Sequence, residues 1–197
     1  MKRILIAGVL AAMLGLTACS GTAQQSSGAE TAEESVSEGL NVQAEEGVDS
    51  AYVDTLTTYF KAIEEKDYAA FQSVMYPPYL ESYNAYLTKN EITPEENFEK
   101  LCTRFDEDGY ESWRLTNLNI AYYPEDQVDL DDFFSAFKDA GILDDTLIEN
   151  CKKEAEEIRD VQFSLQALYA GDAEPVTVVS GNEIMMVKTT DGTYLFG

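Results

Sequence analysis

The stretch "VQFSLQALY", Val161 to Tyr169, sets Val161, Phe163, Leu165, Ala167 and Tyr169 against Gln162, Ser164 and Gln166. Successive side chains of a strand point to opposite sides, so this alternation predicts a strand with one face buried and the other largely polar. Next comes "PVTVVSGNEIMMVK", Pro175 to Lys188, which reads as two strands joined at Gly181-Asn182. "VKTTDGTYLF", Val187 to Phe196, reads as a further hairpin turning at Asp191-Gly192. An antiparallel meander of three or four strands is therefore expected from residue 161 onward.

Upstream the period changes from two to about 3.6. Tyr52, Val53, Leu56, Tyr59, Phe60 and Ile63 share one helical face. Asp67 is placed to cap a short continuation through Phe71 and Val74. Pro77-Pro78 breaks the chain, and Tyr79, Leu80, Tyr83, Tyr86 and Leu87 then line a second helix. "TPEENFEKLCTRF" is a third start, with Thr93 as N-cap, Pro94 at the first helical position and Glu96 closing a capping box. Phe98, Leu101, Cys102 and Phe105 complete its stripe, and Asp108-Gly109 is its expected end. From Trp113 to Tyr123 the pattern alternates again, but Trp113 and Leu115 have one parity and Leu118, Ile120 and Tyr122 the other. That slip predicts a bulge between Leu115 and Leu118. Two more helices follow. One carries Leu130, Phe133, Phe134 and Phe137 and stops at Gly141; the other runs from about Asp145 to Glu157.

Helices first, one strand between helices and a closing meander make an α+β plan, with N-terminal helices on one face of a curved antiparallel sheet. "YFKAIEEKDYAAFQSVMYP" at the start and "IMMVKTTDGTYLFG" at the end resemble the first helix and final hairpin of NTF2-like (SnoaL-like, cystatin-like cone) domains. The resemblance implies a cone with a cavity between helices and sheet, here with extra helices. It also implies that a catalytic member would use a His/Asp or Tyr/Asp arrangement in that cavity.

The N-terminus reads as an export signal. Lys2 and Arg3 precede a 13-residue apolar run, Ile4 to Leu16, too short to span a bilayer comfortably. Leu16-Thr17-Ala18-Cys19 resembles the lipobox of bacterial lipoproteins. That resemblance implies cleavage between Ala18 and Cys19 and a diacylglycerol on the Cys19 thiol, hence a lipid-anchored protein on the extracytoplasmic face of the cell membrane. Residues 1–18 are then a signal peptide, 19–50 a lipidated cysteine with an acidic linker, and 51–197 a single domain. The linker reading rests on composition: Ser20 to Ser50 holds seven acidic residues, no basic ones and no aromatic.

The chain has 37 acidic and 13 basic residues, a net charge of −24. Nucleic acid is a poor partner for such a charge. Histidine is absent, which removes the usual base near neutral pH, and no phosphate-binding loop, nucleophile elbow or dinucleotide fingerprint occurs. No cofactor is indicated, and zinc lacks its ligands. "DEDGYE" (Asp106 to Glu111) and "DLDD" (Asp129 to Asp132) are acidic without the spacing of a calcium loop. Cys102 and Cys151 are read either as a disulfide, suited to an exported protein, or as small buried hydrophobes. Tyr79, Tyr83, Trp113, Tyr122 and Tyr123 are candidate ligand-facing aromatics; the alternative is that tyrosine at helical spacing is core edge. The expected role is a binding module of the cell envelope, taking a small ligand or another envelope protein. The alternative is a SnoaL-like enzyme with a buried carboxylate and a tyrosine in the cone.

Overall fold

A computed structural model describes residues 39–106, 112–122 and 130–196. Cys19, Ala18, Tyr123, Asp108-Gly109, the rest of the first acidic stretch after Asp106, and Asp129 of the second lie outside the described residues. The elements in order are β1 (Asn41–Ala44), α1 (Ser50–Glu65), α2 (Tyr68–Val74), α3 (Pro77–Lys89) and α4 (Pro94–Cys102). After a 3₁₀ turn, Thr103–Phe105, come β2 (Trp113–Tyr122), α5 (Leu130–Asp139), α6 (Asp145–Glu154), β3 (Glu157–Tyr169), β4 (Val176–Thr189) and β5 (Gly192–Phe196). No helix among the described residues is long and apolar enough to cross a membrane.

The architecture is α+β. Five strands form one curved sheet in the order β1-β2-β3-β4-β5, with β2 to β5 antiparallel and the N-terminal helices packed against it. The sheet is mixed, since β1 pairs parallel to β2, and does not close; this α+β arrangement is consistent with an NTF2-like fold.

Local chemistry explains the helix boundaries. The Asp49 carboxylate accepts from Ala51 N–H at the head of α1, and Asp67 accepts from Ala70 N–H at the head of α2. At α4 the capping box is complete: Thr93 Oγ1 accepts from Glu96 N–H, and Glu96 accepts from Thr93 N–H. Gly141 ends α5 at φ 75°, a left-handed conformation that costs glycine little. The register of β2 against β3 shifts between Leu115 and Asn117, where the apolar parity slips.

Four features correct the sequence reading. First, Asn41–Ala44 is a strand, paired parallel to Asn117–Ile120, within the stretch assigned to a linker. The ordered domain therefore begins before Ala51. Second, Val176–Thr189 is one strand, not two; Gly181 at φ 62° sits in an irregular stretch opposite Phe163–Gln166 rather than in a turn. Third, α6 ends at Glu154, and Glu157, the expected helix end, already belongs to β3.

The fourth concerns the faces. On the inner face α1 covers β2 and β3, with the Phe60 and Phe163 rings 5.1 Å apart and Leu56, Leu118 and Leu165 fully buried. Helices are not confined to that face. Phe196 lies opposite Met185, and its ring is 5.3 Å from Phe134 of α5 and 4.9 Å from Tyr79 of α3. Ile184, Met185, Met186 and Val187 are consecutive and all buried. Strand β4 is thus sandwiched there, which is why "IMMV" carries no alternation. The free edge of β5 is met by Met75, and Tyr76 N–H donates to Leu195 O at 2.7 Å.

Candidate functional site

The alternation that buries Phe163 and Leu165 turns Gln162, Ser164 and Gln166 outward. Register sets them beside Ala121, Asn119 and Asn117 of β2, and Asn41 and Gln43 of β1 fall next in line. Amides dominate this face, and they are already connected. Asn41 Nδ2 donates to Asn117 Oδ1 at 3.0 Å, and Asn117 Nδ2 donates to Gln166 Oε1 at 2.7 Å. On the other side of β3, Gly181 N–H donates to Ser164 Oγ at 2.9 Å. Such a relay fixes side-chain orientations before anything binds.

A groove of about 360 Å³ opens beside the relay. Its walls carry Gln43, Asn119, Gln162 and Ser164, with Ala44 and Ala121 beside them and Glu45 at one end. Each amide offers two donors and an acceptor, and the serine hydroxyl both donates and accepts. Asp160 stands two residues before Gln162 on the same face and shares a hydrogen bond with Glu183, which register sets opposite Gln162. Burial, reinforced by that neighbouring carboxylate, pushes Asp160 up to about 6. Among the described residues no three His, Cys, Asp or Glu side chains are grouped to hold a metal ion.

The tyrosines take the core reading. Tyr79 is fully buried and Tyr83 is 6 % exposed; their rings stack at 5.7 Å, and Tyr79 also meets Phe137 of α5 edge-on. Burial raises both phenols, Tyr83 to about 12. The Tyr79 hydroxyl has no hydrogen-bond partner among the described residues. Trp113 donates from Nε1 to Asp106 Oδ1 at 2.7 Å and packs on Phe105. Tyr122 accepts from Asp49 N–H at 3.0 Å and meets Tyr52 edge-on. None of these four lines the groove. Cys102 and Cys151 are both buried and free, so the disulfide reading gives way to the hydrophobe reading. Burial raises both thiols, Cys151 to about 11, which keeps them protonated.

Where the resemblance implied a cone cavity, between α1 and the sheet, Phe60, Leu56 and Ile63 pack against β2 and β3. Two carboxylate–tyrosine pairs are brought together among the described residues: Tyr52 Oη donates to Glu157 at 2.8 Å, with Arg159 also on Glu157, and Tyr76 Oη donates to Glu154 at 3.3 Å. The groove residues escaped the sequence reading because they are the polar half of the alternation. That half carries no signal beyond solvent exposure; only register shows that three strands align it. Comparison with protein-family models, with curated proteins and with solved structures finds no match.

Proposed function

We propose that this protein is a lipid-anchored domain on the extracytoplasmic face of a membrane, and that it binds a small uncharged polar ligand on the open face of its sheet. The anchor rests on Leu16-Thr17-Ala18-Cys19 behind a charged and then apolar leader. Attachment through two acyl chains is stable where one is marginal, and it supplies what an acidic surface cannot obtain from anionic lipid.

One observation carries the binding role: in a chain with 37 acidic residues, the polar side chains lining the groove are three amides and a hydroxyl, with Glu45 the one carboxylate among them. The surrounding negative charge repels anions, whereas amide and hydroxyl groups pair with the hydroxyl and acetamido groups of a neutral sugar. Of the groove side chains, Ser164 is held in place beforehand, its Oγ accepting from Gly181 N–H, which lowers the entropy cost of pairing there.

The test is calorimetric titration of the mature chain with a neutral N-acetylated tetrasaccharide. Wild type should bind, and Asn119→Ala with Gln162→Ala should weaken binding at least about tenfold with no change in the unfolding midpoint. Binding untouched by the double substitution, or none in wild type, overturns the ligand reading. For the anchor, labelled fatty acid should enter wild type and not Cys19→Ala; equal labelling overturns it.

A further inference from the structure

The groove is not built from the sheet's long strands alone. Gln43, Ala44 and Glu45 line it, and they belong to β1 and the residue after it, between the proposed anchor and α1. We infer that docking of β1 onto β2 is a reversible step that assembles the groove, so ligand occupancy and the state of the tether control one another. This rests on the groove being the binding site.

Three observations support it. The attachment of β1 is thin: four residues in a parallel ladder at the sheet edge, three of them exposed, with Leu40, Val42 and Val48 only partly buried. Short edge strands with few buried apolar contacts open at low free-energy cost while the rest of a domain stays folded. Next, the segment ends at a firm point. Asp49 N–H donates to Tyr122 Oη at 3.0 Å, and its carboxylate accepts from Ala51 N–H at 2.9 Å and from Lys188 Nζ at 2.6 Å. These bonds tie Asp49 to α1, β2 and β4, so α1 keeps its cap whether or not β1 is docked. Between strand and anchor point stands a hinge: Gly47 holds φ 97°, in a turn closed by Val48 N–H donating to Glu45 O at 3.2 Å. A residue with a Cβ would resist that conformation.

The consequence is mechanical and thermodynamic. The chain from Cys19 reaches the domain at β1, so tension between lipid and domain falls first on the Asn41–Ala44 ladder. Undocking withdraws three groove residues. Conversely, a ligand that touches Gln43 or Glu45 binds only the docked form and must stabilise it by the same factor that docking strengthens binding.

Hydrogen exchange on the mature chain tests the docking step without any ligand. Glu45 N–H donates to Ile120 O at 2.9 Å, so amides 43 and 45 are the ones that face β2, and they should exchange faster than those of α1 in wild type. In Val42→Asp, which places a charge beside Leu118, they should exchange at least about tenfold faster still, with α1 and β3 unchanged. Val42→Ile should shift exchange the other way. The tetrasaccharide should bind Val42→Asp at least about tenfold more weakly than wild type, and it should slow exchange at 43 and 45 in wild type. Exchange at 43 and 45 as slow as in α1, or loss of α1 protection together with β1 in Val42→Asp, overturns the inference. So does undiminished binding by Val42→Asp. Failure of wild type to bind the tetrasaccharide would strike the ligand reading instead, and the exchange arm would still decide the docking step.

Discussion

The two halves of the sheet solve different problems with the same backbone. In the β2–β3 half, one face is packed under α1 and the other is left open with its amides in a row. In the β4–β5 half both faces are closed, one by α1 and α2 and the other by rings from α3 and α5. The sequence differs accordingly. "VQFSLQA" alternates and "IMMV" does not, because a face with no water to satisfy has no reason to carry polar groups. The open half is where a ligand can reach oriented polar side chains, and the closed half holds that half in shape.

The division can be broken most severely at Phe163. Truncating it to alanine should cost about 3–5 kcal/mol through a cavity under Phe60, whereas its outward neighbour Gln162→Ala should stay within about 0.5 kcal/mol. Urea unfolding measures both, and similar costs would dissolve the distinction between faces. A smaller effect comes from Tyr79, a polar atom on the closed side. With no partner for its hydroxyl, Tyr79→Phe should stabilise the domain by about 1 kcal/mol; an unchanged or lower urea midpoint would show that the hydroxyl is bonded.

The smallest effect concerns Asp160, a charge at the edge of the open side. Its folded value, about 6, lies above the unfolded value near 3.8. The folded form therefore holds its proton more tightly than the unfolded chain. Stability should fall as pH rises from about 4 to about 6 and level off above that. Asp160→Asn should flatten this slope and be the more stable form at pH 7. Parallel pH profiles for the two proteins would contradict the hydrogen-bonded carboxyl pair.

Much of the fold was legible in single residues. Thr93, Pro94 and Glu96 announce α4 because capping is local chemistry, and the parity slip between Leu115 and Leu118 announces the bulge because strand period is local geometry. β1 was not legible. "NVQA" is too short to show a period and sits in an acidic stretch; it becomes a strand only because β2 offers an unpaired edge. Gly181 reads as a turn since nothing nearby reveals that β3 continues alongside it. The groove was hidden for a related reason. Asn119, Gln162 and Gln43 are far apart in the chain, and their alignment exists only once register is set. Tyr79 and Tyr83 misled in the opposite direction, because an aromatic face suits a ligand and a core equally well.

Phe196 gathers the rings of Tyr76, Tyr79, Phe133, Phe134 and Phe137, yet it belongs to the last of the described elements. During synthesis every helix in that cluster emerges before the residue it must pack against. The core therefore closes late, after long-range pairings that join β5 to α3 and α5. A chain that delays its own folding in this way is still threadable while it is being made, a property that the proposed export would require.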